Sequence, residues 1–224
     1  DNIDLNTCKE NEITIAITAT ANAVAVAEHV LFMLLSISKR KSMYDDSVKT
    51  GKFNERNKLP KTIEIWGKNI LIAGASGGIG KEFTRLYCDD PDVEKVIALS
   101  RKMINIDNPK IQSIEVDYSR EETFDNLNDI LQLESINTII VATGILHTDQ
   151  IKPEKSIAGV DLVTLQKVFQ VNVFGPTLLV KKLLPLIKKS KGVKIVFLSA
   201  RVGSISDNSL GGWHSYRSSK SALN

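Results

Sequence analysis

From Asn69 onward, short β-branched runs alternate with helical stretches, and this rhythm restricts the chain more than any other property. Asn69–Ala73, Lys95–Leu99, Ile111–Val116, Thr138–Val141 and Val193–Leu198 are rich in β-branched residues and too short for buried helices, so they read as buried strands. Helices are predicted over Gly78–Cys88, Arg120–Leu133, Leu162–Lys189 and from Ser215 onward, with Pro176 marking a bend or break in the third. Alternation of this kind predicts a doubly wound α/β fold: about five parallel strands with helices on both faces. Right-handed crossovers then align the strand C-termini along one edge, where ligands bind.

The segment before Asn69 has a different rhythm. Val24, Ala27, Leu31, Leu34 and Leu35 recur at helical spacing. Asn22 is the expected N-cap, and Lys39, Arg40 and Lys41 suit the C-terminal end. Residues 51–60 are polar and read as a connection. The apolar stretch Ala23–Ile37 carries Glu28 and His29 and is short for a membrane span, so a core helix is expected and no membrane partner. With 224 residues, one large or two small domains are allowed. A formal charge of +3 without a long basic block gives no push toward nucleic acid. Cys8 and Cys88 are not in metal-ligand spacing, and His29, His147 and His214 are isolated, so no metal is expected. A reducing, cytoplasmic setting follows from the cysteine usage. No signal peptide is visible after Asp1. Asn224 directly follows a motif that begins a helix, and the sequence is expected to be a piece of a longer chain at both ends.

The first strand runs into Gly74-Ala75-Ser76-Gly77-Gly78-Ile79-Gly80, which opens a helix. Glycines permit a tight turn and let the backbone approach a pyrophosphate, while the helix N-terminus supplies free N–H groups and partial positive charge. The expected cradle is Gly74, Ser76, Gly78, Ile79 and Gly80. The second strand ends at Leu99-Ser100-Arg101-Lys102. An acidic residue there would accept from ribose hydroxyls; Arg101, beside Ser100, suits a 2′-phosphate, so NADP is expected, with NAD as the alternative.

Tyr216 and Lys220 stand at i and i+4, on one face of a predicted helix. A phenol with a pKa near 10 needs a neighbouring cation to serve as an acid–base near neutrality. Together with the glycine loop and the intervening strands, this pair points to proton transfer beside a dinucleotide.

The glycine spacing, Tyr216/Lys220, and the run Leu198–Ile205 followed by Gly211-Gly212-Trp213 resemble the short-chain dehydrogenase/reductase family, in its carbonyl-reductase and cell-signalling-factor branch. The resemblance covers about residues 67–224, taken as an incomplete NAD(P)-binding domain. It implies carbonyl–alcohol interconversion by hydride transfer with a small-molecule substrate. Tyr216 would exchange the proton, Lys220 would lower its pKa and hold the nicotinamide ribose, and Asn172 would anchor a water linking the lysine to solvent. Asp117, with Tyr118, would border the adenine, and Ala142, Thr143 and Gly144 would line the cofactor. Ala73 replaces the family's threonine before the first glycine. The family's carbonyl-binding serine falls on Ala200, leaving Ser199 and Ser204 as stand-ins. A non-catalytic dinucleotide-binding signalling protein is the first rival reading.

Residues from about Ile3 to Gly67 resemble something else. Ala19-Thr20-Ala21-Asn22 with the following helix, Gly51-Lys52-Phe53 and Ile65-Trp66-Gly67-Lys68 resemble D-2-hydroxyacid dehydrogenases, which gives the second rival. That family's Arg, Glu and His find no match here. Residues 1–66 are therefore expected to be a helical arm, joined to the second family near Gly67–Ala73 by fusion or assembly. Its apolar helix needs a partner surface, either the α/β domain or a second copy of the chain.

Overall fold

The computed structural model describes residues 22–60, 62, 68–125, 127–131, 133, 135–209 and 211–224. The leading segment through Ala21 and the Ile65-Trp66-Gly67 motif, with the start of the expected join, lie outside the described residues.

Five strands form one parallel sheet: β1 (Lys68–Ala73), β2 (Val93–Ser100), β3 (Ile111–Glu115), β4 (Thr138–Val141) and β5 (Lys194–Phe197), in the order β3-β2-β1-β4-β5. In register, Ile72 pairs with Ala98 on one side and Ile140 on the other. The chain winds outward from β1 to β3, then returns to β4 and continues to β5. The winding direction reverses between β1 and β4, which opens a crevice at their C-terminal ends.

Strand side chains alternate between two cores. Leu71, Ala73, Ile97, Leu99, Ile139 and Val141 face Phe124, Leu127, Leu131, Leu179 and Leu183. Ile70, Ile72, Val96, Ala98 and Ile140 face Phe83 and Tyr87. Burial on both faces explains why these strands read as unbroken apolar runs.

On the second face lies α3 (Gly78–Asp89), and outside it α1 (Ala23–Ser38), whose Ala27, Val30 and Leu34 join the same core. One face of the arm helix is therefore covered by the α/β domain, while Val24, Phe32, Met33 and Ile37 remain exposed. Burying Val30 and Leu34 stabilises this docking by roughly 1.5–3 kcal/mol each. Asn22 precedes the helix, but its side chain makes no capping bond. The chain turns at Arg40 (φ 54°) into a short helix that the sequence did not suggest, α2 (Lys41–Lys49), and a 3₁₀ turn, Phe53–Lys58.

Within the predicted Arg120–Leu133 helix, the described helical residues are α4 (Glu122–Asp125) and α5 (Leu127–Leu131). Leu162–Lys189 becomes α6 (Leu162–Phe169), a π-turn (Gln170–Phe174) and α7 (Gly175–Lys189). Pro176 has no N–H to offer the Asn172 carbonyl four residues earlier, so the ladder shifts register there rather than breaking. The last helix is α8 (His214–Leu223). At the outer strand β5, Ile195 and Phe197 each remain 36% exposed. No described helix is long and apolar enough to cross a membrane.

Candidate active site

The glycine loop is built by main-chain bonds. The N–H groups of Gly74 and Ala75 both donate to the Leu99 carbonyl, at 2.9 and 3.1 Å, and tie the loop to β2. Gly74 has φ +84°, which favours glycine, and a Cβ there would come within 3.0 Å of the Ala142 carbonyl. A Cβ at Gly80 would meet the Gly74 oxygen at 2.1 Å, so the first turn of α3 sits directly under the loop.

In front of the loop lies a cleft of about 1130 Å³. Of the cofactor-binding residues expected from sequence, Gly74, Ser76, Ser100, Arg101, Asp117, Tyr118, Ala142, Thr143 and Gly144 line it. Gly78, Ile79 and Gly80 form the start of α3 behind that lining. Gly77 lines the cleft and was not among the expected residues. A dinucleotide fits this donor set: glycine backbone for phosphates, the N-terminus of α3, and the Arg101 cation at the end of β2.

Burial pulls the Asp117 carboxyl upward. Hydrogen bonds from the Ser119 N–H (2.9 Å) and hydroxyl (2.6 Å), with Arg120 and Arg101 nearby, outweigh it and leave the group below its ordinary value. Burial pushes the Tyr118 phenol up to about 12, so it stays protonated, with its oxygen 3.4 Å from the Thr143 hydroxyl. Its ring occupies the space a Cβ on Gly175 would need, at 2.2 Å.

At the rim, Gly144 joins the cleft to α8. A Cβ there would stand 3.1 Å from Lys220 Nζ and 3.6 Å from Asn172 Oδ1. Lys220 is 3% exposed and donates to the Leu198 carbonyl at 2.8 Å. Its Nζ lies 5.8 Å from the Tyr216 ring centroid, so phenol and amine share one side of α8. Burial lowers the amine to about 8. Burial also raises the Tyr216 phenol, opposite to the direction the i+4 lysine was expected to enforce. Desolvation dominates for both groups.

Asn172 is fully buried on the π-turn. Its Oδ1 accepts from the Ile145 N–H at 2.8 Å, and its Nδ2 donates to the Ile145 carbonyl (3.0 Å) and the Ser219 hydroxyl (2.9 Å). The side-chain amide thus bolts the β4 loop to α8. The two stand-in serines are engaged elsewhere. Ser199 Oγ lies 3.5 Å from the Lys220 carbonyl, while Ser204 Oγ pairs with Ser206 and accepts from the Asp207 N–H. Ala200 leads into a 3₁₀ turn, Arg201–Gly203, packed against the Lys220 backbone.

Sequence reading missed Ile145, Ser219, Trp213 and Glu154. Trp213 precedes α8 at φ 51° and stands edge-on to Tyr216, 6.5 Å between centroids. Buried Glu154 accepts from Ser215. Apart from Trp213, near the motif, these contacts span dozens of residues with no local signature. No group of His, Cys, Asp and Glu among the described residues could hold a metal ion.

Known proteins of two kinds resemble this chain. A benzil reductase ((S)-benzoin forming) of Saccharomyces cerevisiae is 29% identical over 172 residues, covering 70% of this chain and 62% of that enzyme. The chain therefore spans less than two thirds of this curated relative. A chloroplastic D-3-phosphoglycerate dehydrogenase of Arabidopsis thaliana is 35% identical over 85 residues, 38% of this chain and 13% of the relative. The carbonyl reductase Sniffer of D. melanogaster superposes with a TM-score of 0.61 at 26% identity, over 70% of this chain and 71% of its own. NADPH-bound carbonyl reductase from chicken fatty liver gives 0.62 at 23% identity, over 71% and 68%, a likeness of fold. The profile described as short chain dehydrogenase matches residues 68–224, and the chain belongs to that family.

Proposed function

We propose that this protein interconverts a carbonyl and an alcohol by hydride transfer with NADP(H). The observation that carries this reading is Gly144: it lines the dinucleotide cleft on one side and lies against Lys220 and Asn172 on the other. Glycine loop, phenol and amine are read together as one site: Lys220 meets the cleft wall at Gly144, and Tyr216 stands beside Lys220. Bound NADPH supplies the hydride. Tyr216 gives the proton to the carbonyl oxygen in reduction, or takes it in the reverse direction. Lys220, with its amine lowered to about 8, exchanges protons near neutrality and stabilises the phenolate when charged. Asn172 fixes the distance between the β4 loop and α8. Trp213 edges the phenol and favours an aromatic substrate, so benzil, the substrate named for the yeast relative, is the first carbonyl to assay. A reducing, cytoplasmic setting fits the free, buried Cys88.

The test is Tyr216→Phe. Turnover is expected to fall by about 100-fold or more, the upper range for one acid–base group. NADPH affinity, read by fluorescence titration, should stay within about three-fold. Parallel loss of both would overturn the role given to Tyr216.

One observation favours a non-catalytic dinucleotide-binding signalling protein instead: Ala200 stands at the family's serine position, and the hydroxyls of Ser199 and Ser204 are engaged elsewhere. NADPH binding without turnover across a carbonyl panel would establish that reading. Activity on 2-keto acids that survives Tyr216→Phe would instead point to D-2-hydroxyacid chemistry, which the match to the Arabidopsis enzyme suggests.

A further inference from the structure

Resting on the Tyr216 reading, we propose that Glu154 is a positioning residue: from the β4–α6 loop it clasps the start of α8 and so sets where the phenol stands. Glu154 is 7% exposed, although carboxylates are seldom buried without partners. Its partners all lie at the entrance to α8. Both carboxylate oxygens accept from the Ser215 N–H at 3.3 Å, and Oε1 also accepts from the Ser215 hydroxyl. The main-chain carbonyl of Glu154 accepts from the Trp213 N–H at 2.6 Å. Gly212 is pressed against the same carbonyl: a Cβ there would come within 3.2 Å of it. One residue thus holds three contact points, Gly212, Trp213 and Ser215, in the four residues before Tyr216.

The clasp supplies what the helix cannot supply itself. Trp213, in the N-cap position, has a left-handed backbone (φ 51°) and makes no side-chain capping bond. A carboxylate at this end satisfies an otherwise orphaned N–H and complements the helix dipole. Neither partner reveals the other in sequence, because 61 residues separate them. The loop carrying Glu154 also contributes Thr148, Asp149 and Gln150 to the cleft wall. Its position is therefore shared between the cofactor side and the helix that carries Tyr216 and Lys220.

The test compares Glu154→Ala, Glu154→Gln and Tyr216→Phe in the full chain, with benzil and NADPH as probes and hydrogen exchange of the His214–Leu223 helix as a readout independent of turnover. Glu154→Ala should speed exchange in that helix but not in β1 or α3. It should lower kcat about 10- to 100-fold, the range a displacement near 1 Å produces. NADPH affinity should change less than about three-fold. Glu154→Gln keeps an acceptor for the Ser215 N–H and should restore kcat to within about five-fold. Unchanged helix exchange in Glu154→Ala overturns the clasp. Faster exchange with unchanged kcat, while Tyr216→Phe is inactive, overturns the positioning role alone. Faster exchange across the whole chain, or lost NADPH binding, makes Glu154 a general stabiliser and also overturns it. Full activity in Tyr216→Phe, or none in the unaltered chain, defeats the earlier reading, and the proposal falls with it.

Discussion

The glycine loop and α8 face one another across the same crevice but are secured by different means. The loop holds itself through main-chain bonds to Leu99 and through glycines that admit no Cβ. The helix is held by side chains from distant segments: Glu154 at its start, Asn172 along its flank, and Lys220 reaching back to the Leu198 carbonyl. The first arrangement tolerates almost no added volume and is indifferent to charge. The second tolerates some change of volume, but it confines polar groups where each must keep a partner.

Three substitutions can break or sharpen that contrast. The largest effect is expected from Gly80→Ala, whose methyl would meet the Gly74 oxygen at 2.1 Å. With backbone on both sides nothing can yield, so a loss of about 3 kcal/mol or more is expected, with NADPH binding abolished. Chemical denaturation and cofactor titration would read it. Native-like binding would mean the loop adapts as readily as the helix does.

Lys220→Met should separate function from stability. Turnover is expected to fall by about 100-fold, while thermal stability at pH 6.5 rises by about 1 kcal/mol, or about 2–4 °C for a chain of this size. Burial lowers the amine to about 8, so between that value and the ordinary lysine value the unfolded chain binds more protons than the folded one. The wild type therefore gains stability as pH rises through this window, and below it carries the full cost of the buried charge. The advantage of Lys220→Met should be complete below about pH 8 and shrink toward pH 10. A melting temperature that falls at pH 6.5 would mean the amine stabilises the fold.

Arg101→Ala tests the cleft at its other end. Losing the cation at the β2 terminus should weaken NADPH by about 10- to 100-fold, the worth of a charge-assisted bond, and leave NADH nearly unchanged. Equal effects on both nucleotides would remove the case for NADP. The fold itself should hold, because Arg101 is exposed.

Legibility followed the same division. Strands buried on both faces announce themselves as apolar runs, and the glycine spacing is local, so the sheet and the glycine loop at the floor of the cleft could be read from the sequence. The π-turn could not. Pro176 announced a disturbance, a bend or a break, but not its form, because a proline that denies an N–H to a carbonyl can shift the ladder as well as end it. Glu154 was invisible because a buried carboxylate looks like any surface carboxylate until its donor is found. The phenol misled in another way. Spacing placed the amine on the correct side of the helix, but said nothing of desolvation, which governs both titrations here.

The outer strand has a practical consequence. Beyond β4, β5 presents a flank of peptide groups between half-covered Ile195 and Phe197. Such a flank is a template for another chain's strand. Where that flank is left uncovered, copies of the chain would join side to side as the protein is concentrated. Charged replacements at Ile195 and Phe197, which leave the crevice untouched, are the rational way to keep it dispersed.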